Sequence, residues 1–398
     1  FTVPLNVKQQ DFPFVTPQGA RVRNSISENI ISDSRGRIWF PQTGHWANFN
    51  KPNIEKSYSR IVSFDTQHLK FCVYPVPDDN ASVMGVAWDE DRGLLWFSQP
   101  GTNSVVSFSP TELRACDTYT NYRWALSEEG SIARPFPIAY CTQDRRSACM
   151  RKYSFSGGKG LINQLVVQQP SHPDPGSVWY TEFFGNSINR LDPDTGKSAH
   201  FPIHAAVKPV PGDWSTVFRR VHKLLIHPHT GDLVFTANDA GEILRFSMQR
   251  YLSNPGLCEK LNEDGYNPCI QSFKMPGYGK HEKGTVTTHS IDFDRLGNLW
   301  FTTQTNTCPL QPPVPGVGYI DRDWQAITML DELQLPREPG LSAGPMADDE
   351  GNINCGSNGR PMWSFTGIAV DDWNTIWFTN FYQRQVHRLT LQPREPTN

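Results

Sequence analysis

A short aromatic motif is written six times along this chain and limits the folds that the chain can adopt. The copies GRIWFP, GLLWFS, GSVWYT, GDLVFT, GNLWFT and NTIWFT begin at residues 36, 93, 176, 231, 297 and 374. Around each copy, alternating apolar and polar residues with Asp-Gly-type turns indicate four antiparallel strands. Repeated four-stranded sheets are typical of the blades of a β-propeller. The sequence therefore predicts an all-β fold, a single β-propeller domain over residues 1–398 with six blades.

The two ends of the chain suggest how such a ring closes. The last copy ends after three strands, while the chain begins with an isolated strand, FTVPLN. We expect this N-terminal strand to complete the last blade and leave no open sheet edge. The motif tryptophans are expected to pack between blades. An irregular seventh blade within residues 117–160 stays open as an alternative.

Long insertions interrupt the repeat at about 117–160, 204–220, 249–285 and 333–362. Nearly all of them are expected to connect the fourth strand of one blade to the first strand of the next. Such connections open onto one face, and loops on a rigid scaffold commonly carry function. The insertions therefore predict a binding face on one rim.

Charge and hydropathy exclude several classes of partner. The formal net charge is −3, with no basic block, so neither a nucleic-acid surface nor a polybasic membrane patch is indicated. No segment reaches the roughly 18 apolar residues of a membrane span. We expect a soluble monomer that binds neither nucleic acid nor membrane.

The cysteines indicate an oxidising compartment. The eight cysteines include no C-x-x-C or Cys/His pair with zinc-site spacing. The close pairs Cys141/Cys149 and Cys258/Cys269 are therefore expected to form disulfides. Asn80-Ala81-Ser82 is an N-glycosylation sequon. Together these features predict a secreted, extracellular glycoprotein.

Alignment of the copies on the aromatic motif reveals two histidines in one register. The same early position of the innermost strand is occupied by Glu28, Met84, Gln164, His222, His289 and Thr366. In neighbouring blades, His222 and His289 would approach one central channel. Because imidazole accepts a proton near neutral pH, this pair is the predicted catalytic base. A purely structural role, hydrogen bonding to a neighbouring loop, stays open.

Several other residues are candidates for binding a substrate or a metal. Arg219 and Arg220 are suited to a carboxylate, His45 and Trp46 to a sugar ring, and Tyr140 and Tyr153 to substrate contact or proton donation. Glu28, Asn163 and Gln164 offer oxygen ligands to a divalent cation in the channel, calcium in preference to magnesium. For the arginines and aromatic residues, a solvated loop is the alternative.

The third repeat carries a family resemblance. SVWYTEFFGNSINRLDPDTGKSAHFPI resembles a blade of the streptogramin B lyase (virginiamycin B lyase) family, whose blades contain W-F-T-E and N-x-I-x-R-φ-D-P-x-T-G. The resemblance extends over all six repeats. It implies a propeller, seven-bladed in that family, and β-elimination by a histidine base with a magnesium ion.

This sequence matches the family's site only in part. His222 and His289 match the family's two key histidines, but Thr287 and Thr303 stand where its magnesium-binding glutamates would be. Glu182 keeps the acid of the motif, in another blade. That family opens a cyclic ester in an antibiotic. The departure argues against this substrate and against the magnesium site, and leaves the histidine base in place.

The fold is also similar to that of secreted propeller polysaccharide lyases, including those that release a terminal rhamnose from glucuronate. Elimination beside a uronic acid requires a base for the proton α to the carboxylate and a cation for the developing charge. The resulting hypothesis is a secreted carbon–oxygen lyase whose partner is an acidic plant glycan. Two alternatives stay open: a non-catalytic propeller that binds glycan or protein, and a metal-dependent lactonase-like hydrolase.

Overall fold

The computed structural model of the protein describes the secondary structure of most of the repeats. The residues described are 14–15, 21–22, 25–26, 29–43, 59–68, 70–78, 81–113, 117–119, 138–144, 146–155, 161–183, 185–204, 221–237, 240–275, 286–305, 316–330, 365–371, 373, 375–380 and 385–390. The predicted N-terminal closing strand lies outside them.

Nearly all regular structure in these residues is β. The first strands are β1 (Phe14–Val15), β2 (Arg21–Val22), β3 (Ser25–Ile26), β4 (Ile31–Ser32), β5 (Arg37–Thr43), β6 (Arg60–Asp65), β7 (Lys70–Pro75), β8 (Val86–Asp89), β9 (Leu94–Gln99), β10 (Ser104–Phe108), β11 (Asp117–Tyr119) and β12 (Arg151–Ser154). The next are β13 (Ile162–Val167), β14 (Val178–Glu182), β15 (Ser187–Leu191), β16 (Ser198–Pro202), β17 (Val221–Ile226), β18 (Leu233–Ala237), β19 (Glu242–Phe246) and β20 (Ile270–Lys274). The last are β21 (Val286–Phe293), β22 (Leu299–Thr305), β23 (Val317–Ile320), β24 (Ile327–Met329), β25 (Phe365–Val370), β26 (Thr375–Asn380) and β27 (Gln385–Thr390). Two short helices, α1 (Met248–Ser253) and α2 (Pro255–Cys258), and a 3-10 turn at Pro100–Thr102 complete the set.

These strands form six repeated antiparallel sheets, which confirms the predicted β-propeller fold with six blades. The second to fifth blades have four strands each, in the orders β8-β9-β10-β12, β13-β14-β15-β16, β17-β18-β19-β20 and β21-β22-β23-β24. The first blade contains β4-β5-β6-β7 with β3 and β11 added, and the described part of the sixth is β25-β26-β27. Strands β1 and β2 pair separately.

The chain divides into two compact units. The first consists of Phe1–Ser171, Pro175–Tyr180 and Arg190–Ser198. The second consists of His172–Asp174, Thr181–Asn189 and Ala199–Asn398. The third sheet contributes residues to both units, and the prediction of one domain over 1–398 stays a prediction.

The described parts of segment 117–160 do not build a seventh blade. Strand β11 joins the first blade by pairing with β7, and β12 is the outer strand of the second blade. The insertion before β12 therefore connects a third strand to a fourth, not a fourth to the next first strand as predicted. Helices α1 and α2 likewise lie between the third and fourth strands of their blade. In an antiparallel sheet these connections lie at the opposite end from the loops that lead to the next blade.

Among the described residues, the aromatic motif supplies most of the largest fully buried side chains. Trp39, Trp96 and Trp179 are fully buried and Trp300 is 3% exposed, as the packing role predicts, whereas Trp377 is 38% exposed. Burial of such large side chains is the main favourable term in folding. In the first unit Trp39 packs with Tyr74 and Phe97, and in the second Trp300 packs beside Ile376 and Phe378.

An aspartate in the turn before the motif holds the motif tryptophan in several blades, whereas Trp179 donates to Ser177 instead. The indole nitrogen donates to Asp33 from Trp39 at 2.8 Å and to Asp294 from Trp300 at 3.0 Å. The other carboxylate oxygen of Asp294 accepts backbone N–H groups of the turn. Gly297, the first residue of the motif, has φ +85°, which favours glycine. The recurring Gly and Asp are thus parts of one turn.

Both predicted disulfides are confirmed. Cys141 is bonded to Cys149 and Cys258 to Cys269. Each bond closes a short loop within an insertion and so restricts a segment that has little core of its own. The bonds indicate an oxidising environment. In the part of the chain that the structure describes, no helix has the length and apolar character needed to cross a bilayer.

Candidate functional site

The two histidines that share a repeat position lie side by side. The ring centroids of His222 and His289 are 4.4 Å apart, with the ring planes inclined at 43°. His222 lies on β17 and His289 on β21, the first strands of consecutive blades. Both side chains are largely buried, with exposed fractions of 8% and 5%. The register read from the sequence therefore brings two imidazoles into direct contact.

Each histidine occupies a β-bulge. Strand β17 has one extra residue relative to β18 between Val221 and Leu224, and β21 has one relative to β22 between Thr288 and Ile291. Such bulges break the regular alternation of side chains and re-aim them, and they are frequent near active sites. His222 and His289 are the first residues inside these two irregularities.

A hydroxyl group from the aromatic motif holds each bulge. Thr236 Oγ1 accepts the N–H of Lys223 at 3.0 Å, and Thr302 Oγ1 accepts the N–H of Ser290 at 3.2 Å. Ser98 does the same for Gly85 at 2.7 Å in the second blade, and Thr379 for Gly367 at 2.8 Å in the sixth. The Ser or Thr that follows W-F therefore fixes the backbone of the innermost strand.

Thr236 also links the two histidine-bearing strands. Its hydroxyl donates to the backbone carbonyl of His289 at 3.4 Å while accepting from Lys223. The Thr236 side chain is fully buried. Because one hydroxyl bonds to both strands, Thr236 helps to set the separation of the two imidazoles.

The environment of His222 favours its neutral form. Burial is the main cause that lowers the pKa of His222 well below 6.5, and the charges of His289 and Lys223 act in the same direction. A hydrogen bond to the backbone of His289 acts weakly against them. The rings of Phe183 and His222 are in an edge-to-face arrangement, with centroids 6.2 Å apart. A neutral imidazole can accept a proton, so His222 has the protonation state of a general base.

Two charged groups accompany the pair on the same strands. Lys223 follows His222, and Asp292 lies three residues after His289. Asp292 accepts the N–H of Val370 on β25 at 2.8 Å and that of Phe293 at 2.9 Å. Burial raises the pKa of Asp292, while the positive charge of Lys223 opposes this rise. Lys223 thus lies within electrostatic range of both His222 and Asp292.

Several predicted site residues lie outside the described part of the chain. These are Arg219, Arg220, His45, Trp46 and Glu28, together with Asn80 of the glycosylation sequon. Their predicted roles stay predictions.

Tyr140 belongs to a polar cluster in the first unit. Its hydroxyl donates to Asp78 at 2.7 Å and accepts from Gln99 at 2.9 Å. Lys152 also bonds to Asp78 and lies 5.0 Å above the Tyr140 ring. Burial is the main cause that raises the pKa of Tyr140. These contacts hold the disulfide-closed insertion in place, and a role in substrate contact stays a prediction.

Tyr153 lies on the fourth strand of the second blade rather than in a loop. Its ring stacks on Trp96 with centroids 5.6 Å apart, and its hydroxyl donates to the carbonyl of Pro193 at 3.0 Å. Burial raises the pKa of this hydroxyl. The observed contacts are those of a packing residue, and the predicted substrate contact is not tested by them.

The predicted cation ligands Asn163 and Gln164 are buried in the first unit. Gln164 Oε1 accepts the side-chain amide of Asn29 at 2.7 Å, and the carbonyl of Asn163 accepts the hydroxyl of Ser98 at 2.5 Å. The predicted calcium site, which also needs Glu28, stays a prediction.

The magnesium ion implied by the family resemblance does not fit the residues present. The Thr303 hydroxyl is committed to Gly316, since it accepts that N–H at 2.8 Å and bonds its carbonyl at 3.3 Å. Thr287 brings no carboxylate either. Within the described ranges, no three His, Cys, Asp or Glu side chains are grouped to hold a metal. Glu182, which keeps the motif's acid, is buried, and Ser187 donates to it at 3.2 Å.

The sequence prediction did not include Lys223, Asp292 or Thr236. A serine or threonine follows the aromatic pair in most copies of the motif. This recurrence is a signal in the sequence that the hydroxyl of Thr236 has a structural role. The bulges that place Lys223 leave no comparable pattern in the sequence.

Comparisons with known proteins support the fold and do not assign a family. No protein-family model and no curated protein matches this chain. Among solved structures, the chain is similar to hydrazine synthase from Kuenenia stuttgartiensis, with 11% identity, a TM-score of 0.50, and coverage of 94% of this chain and 80% of that chain. At this identity the similarity concerns the fold alone.

Two further structures are similar at lower TM-scores. Virginiamycin B lyase from Staphylococcus aureus is 18% identical, with a TM-score of 0.45 and coverage of 92% of this chain and 94% of that one. A gluconolactonase from Xanthomonas campestris is 14% identical, with a TM-score of 0.41 and coverage of 94% and 89%. No activity is transferred from either structure, and the functional argument depends on the site itself.

Proposed function

We propose that this protein is a carbon–oxygen lyase that uses the His222–His289 pair to catalyse β-elimination next to a carboxylate. The observation that carries the proposal is the contact between the two buried imidazoles, with ring centroids 4.4 Å apart. Elimination needs a base that is unprotonated near neutral pH, and burial keeps His222 in that form. The substrate class we propose is a plant glycan that contains a uronic acid, for example one with a terminal rhamnosyl-glucuronate.

In the proposed reaction, His222 removes the proton from the carbon α to the carboxylate. The electron pair of that C–H bond forms the new carbon–carbon double bond, and the β carbon–oxygen bond breaks with its electrons on oxygen. The departing oxygen takes up one proton, so the imidazole pair returns to its starting state. The nearby His289 ring offers a second group through which this proton can be returned. The products are an unsaturated uronate and a sugar with a free hydroxyl.

The disulfides favour an oxidising compartment, which agrees with the proposed secretion. Acidic glycans of the extracellular space would be accessible to an enzyme located there.

The test uses the purified protein and oligosaccharides with a terminal rhamnosyl-glucuronate. We expect the ultraviolet absorbance of an unsaturated uronate with the wild type, and its loss in His222→Gln and His289→Gln. His229→Gln is the matched control, because His229 is exposed on the turn between β17 and β18 of the same blade. Circular dichroism and thermal unfolding would show that each variant is folded.

Other outcomes contradict the proposal. Saturated products, formed from the glycan or from an added gluconolactone and abolished by a chelator, would establish the metal-dependent hydrolase instead. Glycan binding without any product would indicate a non-catalytic propeller. Unsaturated product that persists in both histidine variants would exclude the imidazole pair as the base.

A further inference from the structure

We propose that the ammonium group of Lys223 binds the carboxylate of the substrate beside the His222–His289 pair and stabilises the negative charge that develops there. The inference rests on the proposed function. It assigns to a side chain of this protein the positive charge that β-elimination requires.

The first support is the position of Lys223 in the repeat. The residue whose N–H is held by the motif hydroxyl is Gly85 in the second blade, Lys223 in the fourth, Ser290 in the fifth and Gly367 in the sixth. In three of these four blades the residue is glycine or serine, so the side chain at this position is small or absent. A Cβ on Gly85 would lie 2.8 Å from the carbonyl oxygen of Asn163. Of the four blades in which this hydrogen bond is described, only the blade that carries His222 has a long cationic side chain at the position.

The second support is the direction that the bulge gives to the chain. Consecutive residues in a regular strand point to opposite faces, but a bulge breaks this alternation. Lys223 and His222 both lie within the irregular step between Val221 and Leu224. The positive charge of Lys223 lowers the pKa of His222, so the ammonium group acts electrostatically on the imidazole that shares this irregular step. Lys223 is half-buried, so its charge is only partly screened by water.

The third support is the charge balance around the pair. Among the described residues, the charged or titratable groups that act on His222 are His289 and Lys223, and Lys223 also acts on Asp292. Asp292 already accepts two backbone N–H groups. Its burial disfavours the ionised carboxylate. Asp292 is therefore already stabilised by backbone hydrogen bonds and competes only weakly for the charge of Lys223. A substrate carboxylate beside Lys223 would meet a positive charge that Asp292 balances only in part.

The experiment compares a uronate substrate with its methyl ester, which has no negative charge at the carboxyl group. We expect Lys223→Gln to lower kcat/KM for the free acid by about tenfold to a hundredfold, the usual size of a charged hydrogen bond, and to change the ester reaction much less. Lys223→Arg should restore most of the activity on the acid. Lys274→Gln is the matched control, since Lys274 is exposed on the outer strand of the same blade.

A purely structural role for Lys223, as a counter-ion of Asp292, predicts a different pattern. Asp292→Asn would then reproduce the defects of Lys223→Gln, with equal losses on acid and ester. If Lys223 binds the substrate, Asp292→Asn should leave the KM for the acid unchanged or lower it, because a competing carboxylate is neutralised. The pH profile gives a further readout, since loss of the Lys223 charge should move the acid limb of kcat/KM to higher pH.

Binding separates failure of this inference from failure of the proposed function. Calorimetric titration with a saturated uronic-acid oligosaccharide and with its neutral, carboxyl-reduced analogue needs no turnover. Binding of the acid that depends on Lys223, in a protein without lyase activity, would support Lys223 and overturn the lyase. Lyase activity that is equal in wild type and Lys223→Gln on the acid would overturn the inference alone. Absence of both activity and acid binding would overturn both.

Discussion

At the scale of single residues, the proposed chemistry depends on one imidazole that stays neutral at pH 6.5, where a free histidine is half protonated. Burial, together with the electrostatic influence of His289 and Lys223, lowers the pKa of His222 well below 6.5. Protonation of a base abolishes its function, so activity should be lost only as the pH falls through this lowered pKa.

The lowered pKa of His222 predicts how kcat/KM depends on pH. As the pH is lowered, kcat/KM should remain nearly constant through pH 6.5, the ordinary value for histidine, and decline only in more acidic solution. The measurement is a profile on the uronate substrate, with protein stability checked at each pH. An acid limb centred at or above 6.5 would show that His222 is not the group that must be unprotonated.

The residue scale also shows where sequence was sufficient. The aromatic motif fixed the phase of each repeat, so His222 and His289 were placed together before any contact was known. Lys223 was not predicted, because a regular strand would have directed it away from His222. The bulge between Val221 and Leu224 interrupts that regular alternation.

At the scale of the blade, a single hydroxyl joins the second strand to the first. Thr236 accepts from Lys223 and donates to the carbonyl of His289. Ser98 accepts from Gly85 in a blade that has no histidine at this position. These two side chains are both fully buried, so they form a matched pair for mutation.

Thr236→Val and Ser98→Ala should each lower the free energy of unfolding by about 1–3 kcal/mol, because each leaves a buried N–H without its acceptor. Only Thr236→Val should also lower kcat/KM, since it alone disturbs the two histidine strands. Urea unfolding and steady-state kinetics would measure the two effects. Equal kinetic losses in both variants would mean that the hydroxyl acts on the whole fold rather than on the imidazole pair.

At the scale of the whole molecule, the repeat predicted six blades because each copy must bury the same aromatic residues. The placement of the insertions was less predictable. The segment before β12 and the helices α1 and α2 lie between third and fourth strands, and strand order within a blade is set by pairing that no local pattern reveals. The expectation of one enlarged rim therefore does not hold for these two insertions, and the site is better located by the histidine register.

The measurement that tests the central claim most directly uses a uronate substrate deuterated at the carbon α to the carboxylate. If the His222–His289 pair removes that hydrogen, the deuterated substrate should react more slowly than the protiated one, and the unsaturated product should have lost the label. A product that retains the deuterium, formed at the same rate from both substrates, would contradict β-elimination at this site.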